Sequence, residues 1–178
     1  MLAVAVAMLG ADSAGAQQQL ETAGYTTTYP TGWSVTVKPD RGFVFHTIVS
    51  PGATVDDHWN PVPSAGGISV LVAHITAREF RKRYKRALPR RALDGMVGYP
   101  KGAKRVRLTS RPRTVKVDGA HAVAAALRYR YRGVENVQRD VIARHGRYLV
   151  LIEMNCRPDL EATGRLAMRQ AVKSLKWK

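Results

Sequence analysis

The alternation of apolar and polar positions along this chain predicts a protein built mostly of strands. Trp33, Val35 and Val37 share one parity and Ser34, Thr36 and Lys38 the other, the period of two expected of a half-buried strand. Tyr25 to Tyr29 alternates Tyr with Thr ahead of a Pro30-Thr31-Gly32 turn. Pro39-Asp40-Arg41-Gly42 then reverses the chain into Phe43 to Val49, the second half of a hairpin. Ser50 to Gly67 is rich in Pro and Gly and reads as a long loop. Ile68 to Ile75 is apolar on both parities apart from Ser69 and His74, which predicts a central strand covered on both sides.

The period then changes. From about Ala77 to Leu88, Phe80, Tyr84, Ala87 and Leu88 form a narrow apolar stripe on a helix whose remaining positions are mostly basic, and Pro89 breaks it. Ala92, Leu93, Met96 and Val97 make a second short stripe before Gly98. Beyond Lys104 the period returns to two. Arg105, Arg107, Arg111 and Arg113 share one parity, and Val106 and Leu108 the other. A Val117-Asp118-Gly119-Ala120 turn leads into a strand over His121 to Arg132. Gly133 and His145-Gly146 open two further hairpins, into Val134 to Arg144 and Arg147 to Met154. Asp159 can cap a last helix, with Leu160, Ala167, Met168, Ala171, Val172 and Leu175 as its apolar stripe and Arg165, Arg169, Lys173 and Lys176 on its wet side. Adjacent hairpins favour an antiparallel sheet, and two amphipathic helices can cover its two faces. The expected class is α+β, an α/β/α sandwich in one domain over 25–178.

Two segments stand outside that domain. Met1 to Leu9 is an apolar run followed by Ala14-Gly15-Ala16, which fits a signal peptide over 1–16 cleaved before Gln17. No Lys or Arg precedes the run, and it is far short of the roughly 20 apolar residues of a membrane-spanning helix. The polar residues 17–24 read as a flexible leader. Export to the periplasm or the cell exterior is the expected location.

Charge changes the picture most. Of 29 Lys and Arg residues, fifteen lie between Arg78 and Lys116, where the only acids are Glu79 and Asp94, and the whole chain carries a formal +16. Enrichment without purpose would spread evenly, whereas bunched charge attracts an anionic partner from beyond contact range. Arg predominates in the strand rows, and its planar fork suits phosphate and carboxylate. The expected docking surface is Arg78, Arg81, Lys82, Lys85, Arg86, Arg90 and Arg91 on the helix, extended by Arg105, Arg107, Arg128 and Arg130 on the strands. Its partner is an anionic membrane surface, a membrane complex or an acidic protein. Nucleic acid fits the charge but not an exported protein, and no zinc-finger, K-homology or RNP signature is present.

No reaction is announced. Cys156 is the only cysteine, so an internal disulfide and a thiolate cluster are both excluded, and it reads as a small buried hydrophobe. Asp56-Asp57-His58-Trp59 could offer oxygen and nitrogen ligands, yet neighbours in sequence rarely all face one ion, and a solvated loop is the simpler reading. His46 and His74 fall in strands, as core or edge histidines, while His121 and His145 sit at strand ends. Tyr84, Tyr129 and Tyr131 have core spacing before they have base-stacking spacing. Glu135 and Asp140 lack a partnered carboxylate at any readable spacing. There is no Gly-x-Ser-x-Gly elbow, no His-Glu-x-x-His and no phosphate-cradling Gly loop. No enzyme and no cofactor is expected.

The order of elements resembles the PsbP-like family. The residues that carry the likeness are Tyr29-Pro30-Thr31-Gly32-Trp33, Val117-Asp118-Gly119-Ala120 and Gly146-Arg147-Tyr148-Leu149-Val150-Leu151, followed by a helix ending Ser174-Leu175. The resemblance implies an α/β/α sandwich and a secreted, non-enzymatic accessory or binding protein. Docking on the outer face of a membrane complex is common in that family. The heavily basic segment around Pro89 departs from its pattern, as does the lack of a lipid-anchor Cys. Two other readings remain: an extrinsic subunit of a photosynthetic or respiratory membrane assembly, and a small secreted hydrolase using the loop around His58.

Overall fold

The computed structural model describes residues 17–40, 43–53, 68–76, 102–146 and 148–178. The signal peptide expected over 1–16, the Asp56–Trp59 cluster and the basic helix over 77–88 lie outside the described residues.

Ten strands and one helix are described. They are β1 (Gln17–Glu21), β2 (Tyr25–Pro30), β3 (Ser34–Asp40), β4 (Phe43–Val49), β5 (Ser69–Thr76), β6 (Lys104–Val117), β7 (Ala120–Tyr131), β8 (Val134–His145) and β9 (Tyr148–Cys156). A short 3-10 turn (Pro158–Leu160) then leads to helix α1 (Glu161–Ser174) and to β10 (Lys176–Trp177). Seven strands form one sheet in the order β3-β4-β5-β9-β8-β7-β6, antiparallel throughout, and β1-β2-β10 form a second, three-stranded sheet. The hairpins are short where the sequence supplies left-handed residues. Asp118 and Gly119 have φ of 44° and 79° between β6 and β7, and Arg132 and Gly133 have 49° and 84° between β7 and β8. Two successive positive φ values make the hairpin turn whose twist matches its flanking strands.

Because residues paired across strands share a face, the register sorts the large sheet into two sides. One side carries Ile48, Val70, Val72, Val141, Ile152 and Met154, and α1 packs against it together with the small sheet. Gly164 lets the helix come close. A Cβ built there would lie 2.6 Å from the Met154 sulfur and 3.3 Å from that of Cys156. Two polar contacts fix the small sheet to the helix: Thr27 Oγ1 donates to the Ala171 carbonyl at 2.8 Å, and the Thr28 amide donates to Ser174 Oγ at 2.8 Å. The other side of the sheet also buries side chains, Leu127, Ile142 and Leu149 among them.

Several expectations need correcting. Residues 17–21, read as part of a flexible leader, form β1, paired to β2 from Gln17↔Pro30 to Glu21↔Thr26 with Leu20 buried. Asp159 does not cap α1. It sits in the 3-10 turn and pairs with Arg157, while Leu160 occupies the cap position without a side-chain bond. Val106 and Leu108 are exposed at 38% and 60% because β6 is an edge strand whose register shifts break its alternation. Val37, on the opposite edge strand β3, is likewise exposed at 45%. The antiparallel sheet and the C-terminal helix match the expected class. Among the described residues a helix covers one face of the large sheet, and helices on both faces are not shown.

Candidate functional site

Of the eleven cations expected to dock a partner, Arg78, Arg81, Lys82, Lys85, Arg86, Arg90 and Arg91 lie outside the described residues. The remaining four divide. Arg105, Arg107 and Arg130 converge with Tyr129, Gly133 and Glu135 around a cleft of about 480 Å³ at the β6 edge of the large sheet. Arg128 does not join them. Its guanidinium donates to Glu161 Oε2 at 2.9 Å, and Arg139 donates to the other oxygen of the same carboxylate. Arg139 first, and then Arg128, holds the Glu161 carboxyl below its usual range. Glu161 also lies in the first turn of α1, where the helix dipole favours a negative charge. Arg128 therefore anchors the helix to the sheet, and its place in the docking surface is withdrawn.

The backbone around the cleft is built against ordinary strand economy. Arg105 has φ of 54°, a left-handed conformation that costs a non-glycine residue roughly 1–3 kcal/mol. Register shifts separate Lys104 from Arg107 and Leu108 from Ser110, the kind of irregularity that re-aims side chains at sheet edges. Lys104 lies directly opposite Arg130, and Arg107 opposite Arg128, and like charges at such positions destabilise a sheet. Arg130 is held by its Nε, which donates to the Gly133 carbonyl at 2.9 Å and leaves the outer guanidinium nitrogens free of that bond. None of the ion pairs among the described residues takes Arg105, Arg107 or Arg130. Along β6, Lys104, Arg105, Arg107, Arg111, Arg113 and Lys116 are all exposed with no acid between them. Positive charge on this strand is thus concentrated and exposed, and at the cleft three arginines share the lining with one acid, Glu135, without an ion pair among the described residues.

A second polar feature was missed. Asp140 on β8 lies directly opposite Glu153 on β9, in the middle of the sheet face turned away from α1. Asp140 is buried and Glu153 half-buried. Gln138 Nε2 donates to both Asp140 oxygens at 3.1 Å, Asn155 Nδ2 donates to Glu153 Oε1 at 2.6 Å, and Tyr129 donates its hydroxyl to Asn155 Oδ1 at 3.1 Å. Burial raises the Asp140 carboxyl to about 7, with the bonds from Gln138 and Glu153 pulling the other way. Burial and the neighbouring Asp140 charge keep Glu153 protonated well above its usual range, and it donates to Asp140. Two like charges so close in a poorly solvated place cannot both ionise, so near neutral pH the pair keeps at least one proton, shared between them. The statement that Asp140 lacks a partnered carboxylate is corrected. The sequence did hold a signal, since Asp140 and Glu153 are each five residues from the His145↔Tyr148 pair that closes the β8–β9 hairpin.

The remaining chemistry is quiet. Cys156 is buried, and burial first, then Glu161 and Asp159, pushes its thiol up to about 12, which leaves no thiolate nucleophile at neutral pH. His46 is a core histidine bonded to the Tyr25 hydroxyl at 3.2 Å, and His145 stacks on Trp177 with ring centroids 4.8 Å apart. Among the described residues, no three metal-ligating side chains form a cluster and no helix is long and apolar enough to cross a membrane.

No family model and no curated protein matches the sequence. Solved structures do match. LpqN of Mycobacterium tuberculosis, described as involved in cell envelope biogenesis, is similar over 91% of this chain and 90% of its own, with a TM-score of 0.58 at 12% identity. A Pseudomonas aeruginosa protein of unknown function, PA94, is similar over 90% of this chain and 96% of its own, with a TM-score of 0.50 at 13% identity. A cyanobacterial PsbP from Synechocystis sp. PCC 6803, the family resembled by the sequence, also stands among the matches over 96% of this chain and 99% of its own, with a TM-score of 0.48 at 13% identity. At such identities the likeness to LpqN and to the Pseudomonas protein is one of fold.

Proposed function

We propose that this chain is an exported, non-catalytic binding protein that docks through the cationic β6 edge onto an anionic partner at the cell envelope. The observation that carries the reading is the set of three arginines lining one cleft, none of which takes part in an ion pair among the described residues. Folding alone gives no reason for it, since opposed like charges and a left-handed arginine both cost stability. Such costs are retained where a surface does something else. The envelope location is supported by the apolar leader with its Ala14-Gly15-Ala16 ending and by the fold shared with LpqN. A non-catalytic role is supported by the protonated Cys156 thiol and by a carboxyl pair whose oxygens are engaged by neighbouring amides. Attachment as an extrinsic subunit of a membrane complex would use the same edge.

The test is partitioning of the mature chain onto anionic vesicles across a salt series, with the triple variant Arg105→Gln, Arg107→Gln, Arg130→Gln beside it. Each cation near anionic headgroups is worth about 1 kcal/mol, so the triple variant should partition roughly a hundredfold more weakly in low salt. Binding of the unmodified chain should also fall as salt rises. Equal partitioning of the two proteins would remove the proposal.

A further inference from the structure

We infer that the cleft lined by Arg105, Arg107 and Arg130 is a binding site for a phosphoryl group carried on a small hydroxylated headgroup. This rests on the docking reading above and names the chemistry it recognises. Three arginines line the cleft from two strands, and Arg130 is already oriented by its bond to the Gly133 carbonyl. A carboxylate offers two oxygens in one plane and satisfies one planar fork well. A phosphoryl group offers oxygens in a tetrahedral arrangement and can accept from three forks at once. The cleft, at about 480 Å³, has room for more than a bare phosphate and falls in the size range of sites for small molecules. Glu135 shares the lining and lies directly opposite Arg130. An anion next to Glu135 is tolerated when the same ligand also supplies a donor, so the headgroup carries a hydroxyl beside its phosphoryl oxygen. Glycerophosphate has both groups, whether free in solution or as the headgroup of a phospholipid.

Two arms separate these sources. In the first, the mature chain is titrated with glycerol 3-phosphate and with inorganic phosphate while the Gly133 and Arg107 amide resonances are followed. In the second, it is mixed with phosphatidylcholine vesicles containing either phosphatidylglycerol or oleate, matched in surface charge. Arg107→Gln and Arg130→Gln each remove a cleft cation. Arg113→Gln removes one from the same strand outside the lining and serves as the control for bulk charge. The expected result is at least tenfold preference for phosphatidylglycerol over oleate vesicles, lost in Arg107→Gln and Arg130→Gln and kept in Arg113→Gln. Saturable shifts with glycerol 3-phosphate and no vesicle preference would assign the same site to a soluble ligand. If both vesicle types bind alike, all three variants lose alike and neither soluble phosphate shifts those amides, the cleft has no phosphoryl specificity and this inference falls, while docking by charge survives. Should no anion bind at all, the docking reading falls with it.

Discussion

Raising the pH from 5 to 7 should lower the stability of this chain by roughly 5 kcal/mol, and removing the titration of Asp140 and Glu153 should abolish most of that fall. Both carboxyls titrate higher in the folded chain than the value near 4 expected when unfolded, Asp140 at about 7 and Glu153 well above its ordinary range. The folded state therefore holds more protons than the unfolded state once the pH exceeds about 4. The stability these groups contribute is complete below that point and is lost as pH rises through their folded values, at about 1.4 kcal/mol per unit for each group. Glu161, Asp118 and Asp159 have lowered values and act in the opposite sense, but their window lies at and below the unfolded carboxylate range. They leave the slope above pH 5 untouched. For a chain of this size, about 5 kcal/mol corresponds to a melting temperature lower by on the order of 15 °C. Glu153→Gln keeps a donor facing Asp140 while removing one titration, so it should halve the slope, and Glu153→Gln with Asp140→Asn should flatten it. Thermal unfolding at several pH values reads this directly. An unchanged slope in the double variant would show that the pair does not hold the shared proton.

Gly164→Leu should destabilise the protein by about 3 kcal/mol or more, and even Gly164→Ala should cost about 1 kcal/mol. Helix propensity alone gives the opposite sign for Ala, which is favoured over Gly by close to 1 kcal/mol in a helix interior. Packing decides the outcome. Gly164 faces the sheet, and a Cβ there meets the Met154 sulfur at 2.6 Å, the Cys156 sulfur at 3.3 Å and Ile68 at 3.4 Å. The sulfur lies in the middle of a fully buried side chain, so it cannot swing into solvent to make room. The helix would have to lift from β9, opening contacts around Met168 and Ala171. Urea unfolding measures the effect, and Met154→Val in the Gly164→Ala background should recover part of it. A Gly164→Ala protein as stable as the original would mean that the helix sits farther from the sheet than described.

How much of this was legible depended on how local each cause was. The hairpins from β6 to β9 were readable because Asp118-Gly119, Gly133 and His145-Gly146 carry turn chemistry in themselves, and the terminal helix was readable from its apolar stripe. β1 was not. Its sequence Gln-Gln-Gln-Leu-Glu buries one apolar side chain and becomes a strand by pairing with β2, so its cause lies in a partner and not in its own pattern. The β6 row left its burial open for another reason. Val106 and Leu108 alternate as buried residues do, but the alternation says nothing about whether a strand is at an edge. The convergence of Arg105, Arg107 and Arg130 was legible as charge, whereas the loss of Arg128 to Glu161 was not, because it requires the helix start to dock beside β7 and β8. The acid pair was within reach. A separation of thirteen residues has no meaning as a motif and becomes a contact once the hairpin loop is fixed.

Amide hydrogen exchange of the mature chain, free and bound to envelope membranes, tests the docking account most directly. The account predicts new protection concentrated over Lys104 to Arg113 and at the Arg132-Gly133 turn, reversed by salt, with the outer face of α1 around Arg165 and Arg169 unchanged. Protection on that helix with β6 left as open as in the free chain would contradict it.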